Sequence, residues 1–157
     1  MRAKRIRLYP TAEQKRLFKR WFGVSRLVFN KTIEFLRQPG TTADWKDIKG
    51  SILAGLPAFC ASVPYQIKNL AIKDACDAVK AAKRKFLETG EFQEVGFRSR
   101  KAPVQSCFIP GKAVRPQGIY HTRSGEGLRY SEALPDKRVG NKSKSGIPML
   151  ADSRLIS

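Results

Sequence analysis

The sequence predicts an α+β fold: a β-barrel interrupted after its first strand by a helical subdomain. Three observations carry that expectation. Apolar and basic residues alternate over 2–9, helical periodicity then runs to about residue 90, and short β-branched runs broken by proline and glycine fill the remainder. With 157 residues, 41% of them apolar and 10% aromatic, the chain can fill a core.

In the opening segment Ile6 and Leu8 share one face and Arg5 and Arg7 the other, the pattern of a half-buried strand. Pro10 ends it. Thr11 with Gln14 three residues on reads as a capping box that opens a helix. On its wheel Leu17, Phe18, Trp21 and Phe22 fall opposite Lys15, Arg16, Lys19 and Arg20. Gly23 is expected to break this helix before a second one over 24–38, so residues 12–38 read as a helix-turn-helix. Pro39-Gly40 is a loop, and a short helix over 44–53 follows.

Ser62-Val63-Pro64 is expected to cap a long helix that runs to about residue 88 and is closed by Gly90. Its packed face is Ile67, Leu70, Ala71, Ala75, Ala78 and Ala82. The opposite ridge, Gln66, Asn69, Lys73, Asp77, Lys80 and Arg84, alternates amides and cations. Such a ridge is often merely solvated, but these are also the side chains that read base edges and phosphates. Strands are expected at 104–109, 113–114, 118–122, 128–131 and 154–156, with a flexible basic loop over 136–146. The domain reading is a first strand over 1–10, a helical subdomain over 11–95, and the remaining barrel strands over 96–157.

The formal net charge of +18 is unevenly spread. Residues 1–38 hold 11 basic and 2 acidic side chains, 39–95 hold 8 and 7, and 96–157 hold 12 and 4. Two basic ends that meet in space would make one positive surface, for which nucleic acid is the commonest partner. A generally solubilised surface is the plainer reading. No run approaches 18 apolar residues, so no membrane partner is expected, and the basic start has no apolar stretch of a secretory signal.

Catalytic signatures are missing. There is no phosphate-binding Gly-Lys-Ser/Thr loop, no H-E-x-x-H and no G-x-G-x-x-G. His121 is the single histidine, and the acids are few and dispersed. Cys60, Cys76 and Cys107 have no metal-ligand spacing and read as small buried apolar residues. The expectation is no enzyme, no catalytic residue, no metal and no cofactor.

Several motifs appear in order. Arg5-Ile6-Arg7-Leu8-Tyr9-Pro10-Thr11-Ala12-Glu13-Gln14 leads to Trp21-Phe22-Gly23 and then Arg26, Val28 and Asn30. Val63-Pro64-Tyr65-Gln66 follows, then Gly96-Phe97-Arg98-Ser99-Arg100-Lys101 and Gln105-Ser106-Cys107-Phe108-Ile109-Pro110. Over residues 4–110 the chain resembles the opening of the TnpB (OrfB) family of insertion-sequence transposon proteins, RNA-guided nucleases related to compact type V CRISPR effectors.

That resemblance implies a wedge-like, OB-like barrel, incomplete at its C-terminal end, with the helices as a recognition subdomain. It implies a guide RNA and double-stranded DNA as partners, in the cytoplasm and at the nucleoid of a bacterium. By position, Tyr65, Gln66 and Asn69 would read a DNA motif beside the target, with Gly111 nearby. Lys4, Arg5, Arg7, Arg98, Arg100 and Lys101 would contact nucleic-acid backbone, as would Lys19, Arg20 and Lys73 from the two helical ridges. Arg26 and Asn30 read equally as pins between helices and barrel. The family's acidic triad and zinc-binding cysteine pairs follow its barrel, so the expectation here is binding without cutting, with room for a nuclease domain supplied in trans. The rivals are a stand-alone helix-turn-helix regulator and a non-functional transposon remnant.

Overall fold

The computed structural model describes residues 6–115, 118–120, 129–130 and 147–152. Strand β1 (Leu8–Tyr9) leads into helix α1 (Ala12–Leu36), then α2 (Trp45–Ala54), a short 3-10 helix (Ala58–Ser62) and α3 (Tyr65–Thr89). Strand β2 (Val104–Ile109), a 3-10 turn (Gly111–Ala113), and strands β3 (Val114–Arg115), β4 (Gly118–Ile119), β5 (Arg129–Tyr130) and β6 (Ile147–Asp152) complete the order. The fold is α+β.

Helix α1 starts as its sequence dictates. The Thr11 hydroxyl accepts from Gln14 N–H, and the Gln14 side chain accepts from Thr11 N–H at 2.8 Å. The helix then runs unbroken through Gly23 for 25 residues, which corrects the expected turn. A glycine costs a helix interior only about 1 kcal/mol against alanine. Burial of Trp21, Phe22, Val24, Val28 and Phe29 around it outweighs that.

Helix α2 is capped by the Asp44 side chain, which accepts from Lys46 N–H. Helix α3 is closed by Gly90 in the left-handed region at φ 72°, where glycine carries no steric penalty. Its start differs from expectation. Pro64, not Ser62, occupies the N-cap, and the Ser62 hydroxyl instead bonds Arg20 and the Phe59 carbonyl. Its packed face also rotates slightly: Ile72 and Cys76 join Ile67, Ala71 and Ala75 in the interior, while Leu70, Ala78 and Ala82 stay half-exposed.

The main core lies between α1 and α3, with α2 against it and β2 across it through Cys107 and Ile109, and a smaller cluster joins Phe29 and Ile33 of α1 to Ala75 of α3. The strands form three separate antiparallel pairs, β1 with β5, β2 with β6, and β3 with β4. No closed barrel exists among the described residues. β6 was not expected, and the strand expected at 154–156 and the loop at 136–146 lie outside the described residues. No helix among the described residues is long and apolar enough to cross a membrane.

Candidate nucleic-acid interface

The two basic ends of the chain do meet. Leu8 and Tyr9 pair with Tyr130 and Arg129. Arg26 Nη1 donates to Gln105 Oε1 at 2.7 Å, and Asn30 bonds the Arg98 backbone twice, at 2.7 and 3.0 Å. Arg26 and Asn30 therefore act as pins. Burial, and after it the charge of Arg100, lowers the Arg26 pKa below its usual value.

On the first half of α1, Lys15, Arg16, Lys19 and Arg20 are all exposed. Beyond Trp21 the helix sinks into the core, and between 24 and 36 only Glu34 is exposed. The usable cation ridge is thus the N-terminal half. Arg20 Nη1 reaches Ser62 Oγ at 3.5 Å, which sets this ridge beside the start of α3, where the helix dipole favours negative charge.

At that helix start Tyr65 is 53% exposed and stands with Lys68, Leu53 and Leu56 on the wall of a groove of about 210 Å3. Gln66 is half-buried, and its Oε1 accepts from the Tyr120 hydroxyl at 2.9 Å. The Tyr120 N–H donates to Ala113 O at 2.9 Å, and Gly111 opens that same turn, exposed. Tyr65, Gln66 and Gly111 are thereby brought to one region. Asn69, one turn further along α3, has its Oδ1 buried without a hydrogen-bond partner among the described residues.

The other positions divide. Arg7, just before β1, is exposed, and Arg100 and Lys101 are exposed on a turn built on Ser99. Lys4 and Arg5 lie outside the described residues, as does His121. Lys73 is tied to Asp77 at 2.6 Å, with its side chain 22% exposed. Arg98 departs furthest from an open phosphate contact. Its Nη2 meets Asp74 Oδ2 at 2.6 Å and its guanidinium lies 3.8 Å from the centre of the Phe29 ring, so it is spent on the fold.

The roles of three residues in this geometry escape sequence reading. Tyr120, Ser62 and Gln105 have partners 54, 42 and 79 positions away, so no local pattern marks them. The cysteines are buried as expected, and burial raises Cys76 to about 11 and Cys107 to about 12.

Residues 1–38 match a family model described as a helix-turn-helix domain, that of IS605 OrfB. No curated protein matches the chain. The match supports a DNA-binding, transposase-associated role, although residues 12–36 here form one helix. The first 38 residues of this chain are thus similar to the helix-turn-helix domain of IS605 OrfB.

Proposed function

We propose that this chain is the nucleic-acid-binding portion of a TnpB-like protein, holding a guide RNA and reading a short duplex motif beside the DNA target. The observation that carries it is the convergence at the start of α3. The cation ridge of α1, the exposed Tyr65, the Gln66 amide and the Gly111 turn all adjoin there. Cations to grip phosphates beside an amide and an aromatic ring to meet bases are what a reading surface needs. In this reading the three strand pairs are segments of the family's wedge-like barrel, and the protein acts in the bacterial cytoplasm at the nucleoid. The chain by itself binds and does not cut. Asp74 and Asp77, neighbours on α3, are already paired with Arg98 and Lys73, which leaves them poorly disposed to hold a divalent cation.

The test is a binding titration of the purified chain against structured RNA from the transposon end and against duplex DNA, over a range of salt. Saturable RNA binding that weakens steeply with salt supports the proposal. Tight, sequence-specific duplex binding with indifference to RNA overturns it in favour of a stand-alone regulator. The domain match favours that second reading; that only Glu34 is exposed between 24 and 36 weighs against it. Metal-dependent cleavage by the chain alone would sink the non-catalytic part.

A further inference from the structure

We infer that Phe86, Phe92 and Phe97, together with the cations Arg84, Arg100 and Lys101, form a stacking platform for an unpaired nucleic-acid strand. It is a second site, at the far end of α3, about 30 Å along that helix from Tyr65, and it is independent of the duplex-reading surface proposed above.

Among the described residues four phenylalanines are exposed, and three of them fall between 86 and 97: Phe86 at 46%, Phe92 at 78% and Phe97 at 52%. Exposed apolar side chains scattered singly need no explanation, but a group of aromatic rings does. Helix α3 carries the first ring past the core, since every residue from Lys83 to Gly90 is exposed. The chain then turns at Gly90 and sets the Phe92 ring edge-on to Phe86, with centroids 6.3 Å apart and planes at 83°. Lys85 Nζ donates to Gln93 Oε1 at 3.0 Å, which ties the loop to the helix. Arg37 holds the loop further on, through Glu94 Oε1 at 3.0 Å and Val95 O at 3.2 Å, and its guanidinium lies 4.2 Å from the centre of the Phe97 ring. The rings are thus presented to solvent from a fastened loop.

The charge beside the rings selects the occupant. Between 80 and 101 the acids are Glu88, Glu91 and Glu94; Glu94 is paired with Arg37 and Glu91 lies 4.0 Å from Lys85. Lys80, Lys83, Arg84, Arg100 and Lys101 are exposed and make no ion pair among the described residues. An apolar partner would have to bury these cations, and a second copy of the chain would bring the same charge against them. A polyanion with flat apolar faces satisfies both the cations and the rings. In a duplex the base faces are already stacked on their neighbours, whereas unpaired bases offer theirs to aromatic side chains. Stacking reads no base edge, so the platform should be tolerant of sequence.

The experiment is a fluorescence-anisotropy titration of the full 157-residue chain and its variants with labelled oligo(dT) and oligo(U) of about 12 nucleotides, and with a DNA duplex of the same length. The wild type should bind both single strands; a preference for one supports the inference and assigns the site to DNA or to RNA. Phe92→Leu keeps an apolar side chain but removes the ring, so single-strand affinity should fall on the order of tenfold with the salt slope unchanged. Phe92→Tyr should restore it, and duplex affinity should stay level in both. Arg100→Ala with Lys101→Ala should instead flatten the salt slope. Phe97→Leu carries the test if Phe92→Leu melts early. Unchanged single-strand affinity in the folded ring variants, a loss shared equally by the duplex, or a wild-type dimer that Phe92→Leu dissolves overturns the inference while leaving duplex reading intact. So does a wild type that binds the duplex but neither single strand, whereas binding of none of the three overturns both.

Discussion

Asn30 and the backbone of Arg98 complete each other: the Asn30 Nδ2 donates to Arg98 O at 3.0 Å, and Arg98 N–H donates to Asn30 Oδ1 at 2.7 Å. One amide side chain on α1 thus satisfies both polar groups of a residue in the loop before β2. That loop has neither helix nor strand over 91–99, and Arg98 is one of its two partly buried residues, so its backbone gains a partner that no ladder supplies. Asn30→Ala should cost about 1–3 kcal/mol, since it leaves a donor and an acceptor unpaired. Asn30→Asp, which keeps the acceptor, should lose less. Urea unfolding of both variants checks this, and wild-type midpoints would show the clamp to be inert.

Arg98→Lys is a severe change at this site. Lysine has no planar group to lay on Phe29 and no fork to reach Asp74 while doing so. The loss should be about 1.5–3 kcal/mol in thermal or urea unfolding. A variant as stable as the wild type would return Arg98 to the surface cations.

Gly23→Ala separates one helix from two. An added Cβ at Gly23 would meet only Arg26 Nη2, at 4.0 Å, so there is room for it. Inside a continuous helix the change should stabilise by about 0.5–1 kcal/mol. A destabilised variant would restore the turn.

Lys19→Ala with Arg20→Ala should leave the melting temperature nearly unchanged, because both side chains are exposed. Nucleic-acid affinity should fall, and the slope of log K against log salt should shrink by about 1 for each phosphate contact removed. An unaltered slope would place the bound strand elsewhere.

The buried thiols set a pH limit. Burial lifts Cys107 to about 12 and Cys76 to about 11, from an ordinary 9.0. The folded chain keeps these protons while the unfolded chain sheds them, so stability is fully present below pH 9 and declines as pH rises towards 12. Alkylation at pH 8 should accordingly be slow for the native protein and rapid in denaturant. Fast native labelling of all three cysteines would contradict their burial.

What could be read from the sequence was mostly local. The Thr11–Gln14 box spans three residues and the Gly90 stop is a single conformation, and both stand as expected. Gly23 misled because propensity is a weak prior that the packing of Trp21 and Val28 overrides. Ser62 misled because a serine two residues before a helix can serve another element, here Arg20. β6 was hidden by Pro148, which a strand tolerates only where its missing N–H goes unneeded; among the described residues β6 has one neighbour, β2. Arg98 was legible as a cation but not as a structural one, since Asp74 lies 24 residues away. Among the site residues Tyr65, Gln66 and Gly111 came together, yet Tyr120, which links them, carried no local mark.

The unbroken α1 also has a mechanical meaning. Its 25 residues make a rod about 37 Å long. Its first turns carry Lys15, Arg16, Lys19 and Arg20, while its second half is bolted to β2 and the loop before it through Arg26 and Asn30. A jointed pair of helices would absorb a push on its outer end by bending at the joint. A continuous helix has no such joint, so the ridge, Gln105 and the loop that holds Arg98 are kept at a fixed spacing.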